Sequence, residues 1–203
     1  MEVLVLFDSK GGHVYKLAEA IIEGIEQVDG MKARVRYVKE TTPMEVIRAN
    51  PEWSKFYDWK TTNLQEATLD DMAECEGLVV GCPTRYGNVT PALSNFLESM
   101  GPLWVKGVLV GKPAGVFTST GTMHGGQETT LISMMFPLTH LGYIIVPIGY
   151  SDPAVSHTLR GGTPYGASNV SGPDGDHWPD EMELIIARTL GKRVAEITQK
   201  LRA

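Results

Sequence analysis

The chain has 203 residues, with 18 Lys and Arg against 24 Asp and Glu, a formal charge of -6. That length suits one domain able to bury roughly 70% of its unfolded surface, and the acidic balance offers no field for nucleic acid or an anionic membrane surface. Two cysteines, Cys75 and Cys82, without a second pair or a matching histidine spacing, exclude a disulfide framework and a zinc site and predict reduced thiols in a cytoplasmic protein.

In chain order, the apolar run Val3 to Phe7 predicts a first strand, and Glu2 and Asp8 around it leave no room for a signal peptide. Val14, Leu17, Ala18, Ile21, Ile22, Ile25 and Val28 then recur at helical spacing. Ala33 to Val38 alternates with basic residues and predicts a second strand nearer a sheet edge. From Thr41 to about Glu66 periodicity fades, while Trp53, Phe56, Tyr57 and Trp59 argue against disorder, so this excursion is expected to form a packed cover or a subunit contact.

A short helix near Leu69 to Ala73, a third strand at Leu78 to Cys82 and a helix over Val89 to Ser99 follow. A fourth strand at Ala114 to Thr118, a helix over Glu128 to His140 and a fifth strand at Tyr143 to Ile148 complete the alternation. Thr129 to Ser151 carries no charged residue, but Pro137, His140, Gly142, Pro147 and Gly149 interrupt it, so no integral membrane segment is expected. Gly149 to Pro179 reads as a second, loop-like excursion, and Asp180 with Glu183 as a capping pair for a last helix striped by Leu190, Val194, Ile197 and Leu201. Alternating strands and helices predict an α/β doubly wound parallel sheet with helices on both faces.

Three loops would then gather at the carboxyl edge of the sheet, where such folds bind ligands. They are Ser9-Lys10-Gly11-Gly12-His13-Val14, Cys82 to Asn88, and Ser119-Thr120-Gly121-Thr122. The first lacks the third glycine of the dinucleotide fingerprint, and Gly111-Lys112 is followed by Pro113, which breaks the Walker pattern. A hydroxyl, two glycines and a helix start instead suit a terminal phosphate monoester, because free amides and the positive end of the helix favour a dianion. Asp8 stands alone and the third strand ends in Cys82-Pro83, so the acidic site of a response regulator is missing.

These motifs, with Gly125-Gly126-Gln127-Glu128, Val146-Pro147-Ile148-Gly149-Tyr150 and Arg160-Gly161-Gly162-Thr163-Pro164-Tyr165-Gly166, make the chain resemble the WrbA family of flavodoxin-like NAD(P)H:quinone oxidoreductases. The resemblance implies a five-stranded sheet of order 2-1-3-4-5 and one FMN-binding domain over residues 1–203, with excursions at about 41–66 and 149–179. Ser9, Lys10, Gly11, Gly12, His13 and Val14 would hold the FMN phosphate. Thr84, Arg85, Tyr86 and Asn88 would border the isoalloxazine ring through main-chain groups, and Ser119, Thr120, Gly121, Thr122 and Gly125 would line its other side.

By the same resemblance Trp104 would line the quinone pocket, and His140 would reach the flavin in an assembled homotetramer. NADH or NADPH would donate electrons, quinones would accept two of them, and the two substrates would use one flavin face in turn, with no catalytic side chain beyond the flavin. Relatives often carry a tyrosine where Gly11 stands, which removes a stacking surface for nicotinamide. From the residues alone, Trp104 also reads as packing, His140 as a helix-end charge and Cys82 as an inert buried thiol. The alternative function is a one-electron carrier that docks with redox proteins, which the small and dispersed acidic excess disfavours.

Overall fold

The computed structural model describes residues 1–202. Its elements are β1 (Glu2–Phe7), α1 (His13–Glu26), β2 (Lys32–Tyr37), α2 (Met44–Arg48), α3 (Pro51–Asn63), α4 (Leu69–Glu74), β3 (Gly77–Pro83), α5 (Pro91–Glu98), α6 (Gly101–Lys106), β4 (Pro113–Thr120), α7 (Gln127–His140), β5 (Ile144–Ile145), α8 (Ala154–His157), β6 (Ala167–Val170) and α9 (Glu181–Arg202). The strands run in the order β2-β1-β3-β4-β5, all pairs parallel, which is the doubly wound order that the resemblance implies.

Side-chain alternation along β1 divides the core. Val3, Val5 and Phe7 pack with Leu17 and Ile21 of α1 and Leu190 and Val194 of α9. Leu4 and Leu6 face the opposite layer, with Leu93 of α5 and Leu131 and Met134 of α7. Because β1, β3 and β4 are covered on both faces, they read as unbroken apolar runs. No helix among the described residues is long and apolar enough to cross a membrane.

The fifth strand departs from expectation. Only Ile144 and Ile145, within the predicted Tyr143 to Ile148, pair with Pro113 and Ala114. Val146 N–H still reaches Ala114 O at 2.8 Å, but Pro147 has no N–H to continue the ladder and Gly149 turns left-handed at φ 62°. The chain returns as β6, which pairs Ala167 to Val170 with Phe117 to Thr120 of the same β4 edge. The second excursion therefore supplies a sixth strand in line with the fifth.

The first excursion is helical. Asn50 caps α3, its side-chain oxygen accepting Trp53 N–H at 3.0 Å, and Pro51 occupies the first turn, where its missing N–H costs nothing. The aromatic side chains of α3 cover the start of α1: Tyr15 stands 4.8 Å from Trp59 and 5.9 Å from Phe56, ring centre to ring centre.

Candidate functional site

The three loops meet. Ser9, Lys10, Gly11, His13 and Val14 line a 200 Å³ crevice together with Pro83, Thr84 and Arg85, Ser119, Thr120 and Gly121, and Ser171. Parallel pairing in register delivers them there: Phe7 lies beside Gly81, and Pro83 beside Ser119. Thr84 N–H donates to Ser119 O at 3.0 Å, and Ser171 N–H to Thr120 O at 2.8 Å.

At the first loop, Gly12 is left-handed at φ 99° and precedes α1, which has no side-chain cap. Ser9 Oγ accepts Gly12 N–H at 3.2 Å, while the amides of Lys10, Gly11, His13 and Val14 have no partner among the described residues. Uncapped amides at the start of a 14-residue helix form a positive pole suited to a phosphate dianion.

The second loop is a tight turn in which Arg85 and Asn88 exchange backbone hydrogen bonds of 2.9 and 3.0 Å. Tyr86 and Gly87 sit at its tip with φ of 54° and 77°. A left-handed tyrosine stores strain of the kind found at functional loops, and its side chain is fully exposed. Thr84 Oγ1 accepts Gly87 N–H at 3.0 Å and the Thr130 hydroxyl at 2.8 Å. Those bonds occupy the amides of Thr84, Arg85, Gly87 and Asn88, and the Tyr86 amide has no partner among the described residues.

Two hydroxyls of the third loop are also engaged internally. Ser119 Oγ donates to Asn169 Oδ1 at 2.9 Å, and Thr120 Oγ1 to Thr122 O at 2.9 Å. Gly125 N–H closes the turn onto Thr122 O at 3.0 Å. The hydroxyls of Thr84, Ser119 and Thr120 are thus engaged internally, and these positions offer main chain to a ligand.

Trp104 and His140 lie elsewhere in the chain. Trp104 is largely exposed on α6. His140 ends α7, about 20 Å along the helix from the end that faces the crevice. Cys82 is fully buried, which pushes its thiol up to about 12, as expected of an inert thiol.

Charged residues around the loops buttress the site in ways the sequence did not reveal. Glu183 is fully buried and accepts N–H bonds from Gly161 (2.8 Å), Val170 (3.0 Å), the Asn169 amide (3.0 Å) and Asp180 (2.9 Å). It does more than cap α9: it ties the Arg160 to Gly166 turn and β6 to the third loop through Asn169. A charged group also lies under α3. Lys10 Nζ meets Glu40 at 2.8 Å and Asp8 at 3.4 Å, and stands 4.7 Å over the Trp53 ring. Burial alone would raise Glu40, but bonds from Lys10 and Thr42 outweigh it and bring its pKa down to about 2. Lys60 is fully buried and has no hydrogen-bond partner among the described residues, and burial lowers its pKa despite the nearby charges of Asp8 and Glu40.

Residues 1–151 match the model of the NADPH-dependent FMN reductase family. The chain is 46% identical over 202 residues to an NAD(P)H dehydrogenase (quinone) of Acidithiobacillus ferrooxidans, covering 98% of each. It is 42% identical over 207 residues to one of Solidesulfovibrio magneticus, covering both completely. Among solved structures, a WrbA-like flavodoxin from Agrobacterium tumefaciens superposes with a TM-score of 0.69 at 20% identity over 98% of both chains. An archaeal flavodoxin superposes with a TM-score of 0.62 at 20% identity over 98% of this chain and 99% of that one. The chain belongs to the NADPH-dependent FMN reductase family, and it shares the flavodoxin-like fold.

Proposed function

We propose that this protein holds FMN in the crevice and reduces quinones by two electrons drawn from NADH or NADPH. The observation that carries the reading is the uncapped start of α1 beside Ser9, facing two loops that offer main-chain groups. Its relatives' name, NAD(P)H dehydrogenase (quinone), supports the substrates. FMN, when bound, supplies the hydride-accepting ring.

The chain's own part is positioning. Ser9 Oγ and the amides of Lys10, Gly11, His13 and Val14 would hold the phosphate. Thr84, Arg85, Tyr86 and Asn88 would form one edge of the ring site, where the Tyr86 amide would be available as a hydrogen-bond donor to the bound group. Ser119 to Thr122 and Gly125 form the other edge, and Gly11 keeps the mouth open. The whole chain serves as one FMN-binding domain, so donor and quinone share one opening and take turns, giving ping-pong kinetics.

Trp104 and His140 join the site from other copies of the chain. Exposed Trp104, Val105 and Val110 after α5, with Phe136 of α7 and Ile144 of β5, form apolar surface of the kind buried in oligomers, and a homotetramer is our reading. The two free buried thiols fit a cytoplasmic location.

Purified protein is expected to carry flavin absorbance and to reduce benzoquinone with parallel double-reciprocal lines when NADH or NADPH is varied. Turnover no faster than that of free FMN with both donors would reject the enzyme.

A further inference from the structure

A 680 Å³ cleft opens beside the crevice and shares Lys10, Gly11, His13, Gly121 and Ser171 with it. Its volume lies in the range of sites for organic ligands. Its outer walls come from the two excursions: Asn50, Glu52 and Trp53 at the start of α3 on one side, and residues 172–176 with Trp178 on the other. The excursions converge on the phosphate loop, since a Cβ built on Gly12 would lie 3.2 Å from Trp178 and 3.3 Å from Phe56.

Two indoles give this cleft surfaces on which a purine stacks. The Trp178 ring lies on His13, and half of its surface remains exposed. Trp53 packs under the Lys10 ammonium. The charge is one-sided. Glu52, Asp174 and Asp176 line the walls and are exposed. Lys10 is engaged by Glu40 and Asp8, and burial lowers the pKa of His13, so neither cation is free at neutral pH. Carboxylates accept hydrogen bonds from ribose hydroxyls and repel a phosphate at the same position.

We propose that this cleft seats the adenosine half of the nicotinamide dinucleotide and selects NADH over NADPH. The inference rests on the reading that the adjoining crevice holds FMN, and it adds a donor subsite built from the two excursions.

The test uses the FMN-loaded protein. NADH is expected to exceed NADPH in kcat/KM by at least tenfold. By calorimetry AMP should bind, and it should compete with NADH, whereas 2′,5′-ADP should do neither. Trp178→Ala should raise KM for NADH about tenfold with little change in kcat, and should weaken AMP binding as much. Glu52→Lys, at an exposed position, should shift the donor ratio at least fivefold toward NADPH. Reoxidation of dithionite-reduced protein by benzoquinone needs no dinucleotide, and its loss would indict the quinone reductase reading instead. Equal use of both donors, no AMP binding, or an unchanged ratio in Glu52→Lys, with that reoxidation intact, overturns the subsite.

Discussion

The rings of His13 and Trp178 lie face to face, 4.4 Å between centroids and 17° between planes, joining the first residue of α1 to the segment that leads into α9. Burial of His13 lowers its pKa from 6.5, with the nearby Gly175 backbone and the charge of Glu183 opposing. Trp178→Ala should admit water and move the His13 pKa upward toward 6.5, as read by NMR titration of the ring protons. In the intact protein the folded state prefers the neutral ring. Its contribution to stability is therefore present above pH 6.5 and lost as pH falls through the depressed folded value.

Glu40 works in the opposite sense. Its pKa falls from 4.5 to about 2 on folding, so the stability it contributes is full above 4.5 and disappears as pH drops toward 2. Glu40→Gln should cost about 1 to 3 kcal/mol at pH 7, allowing for partial solvent screening, and much less near pH 2. Urea unfolding at the two pH values measures the difference.

Ser9→Ala removes the hydroxyl that holds Gly12 N–H and faces the crevice. FMN binding to the apoprotein should weaken by about 1.5 to 3 kcal/mol, the scale of a hydrogen bond to a charged group. Quenching of flavin fluorescence gives the constant, and an unchanged value would limit Ser9 to shaping the turn.

Glu183→Gln keeps the shape but replaces one acceptor oxygen with a donor that faces N–H groups. The fully buried position cannot recruit water freely. Unfolding free energy should drop by about 2 to 4 kcal/mol, visible as a lower denaturant midpoint at unchanged slope.

Phe136→Asp places a charge in the exposed apolar patch while leaving the sheet untouched. Light scattering should show smaller species than the wild-type chain, and quinone turnover should fall as Trp104 and His140 lose their neighbours. A monomeric wild-type chain would remove the basis for this prediction.

The central strands were legible because β1, β3 and β4 are buried on both faces, which demands unbroken apolar runs. The first loop was legible because a left-handed turn into a helix start leaves few choices but glycine. Helix α3 was not read as one, since its aromatic residues mask the apolar period, although Asn50-Pro51 carried a helix-start signal. The split of the fifth strand was also missed: composition gives an edge strand and a loop similar weight, and pairing with Phe117 to Thr120 of β4 decides between them.

The sequence by itself determined the layered α/β order and the three loops at one sheet edge, because periodicity and turn chemistry act over a few residues. Only the tertiary structure decided that Asp8, Lys10, Glu40 and Lys60 share one buried neighbourhood, that Glu183 braces the third loop through Asn169, and that both excursions close over Gly12. Those relationships join residues far apart in the chain, and their energies come from burial and charge pairing, which exist only once the sheet has brought the segments together.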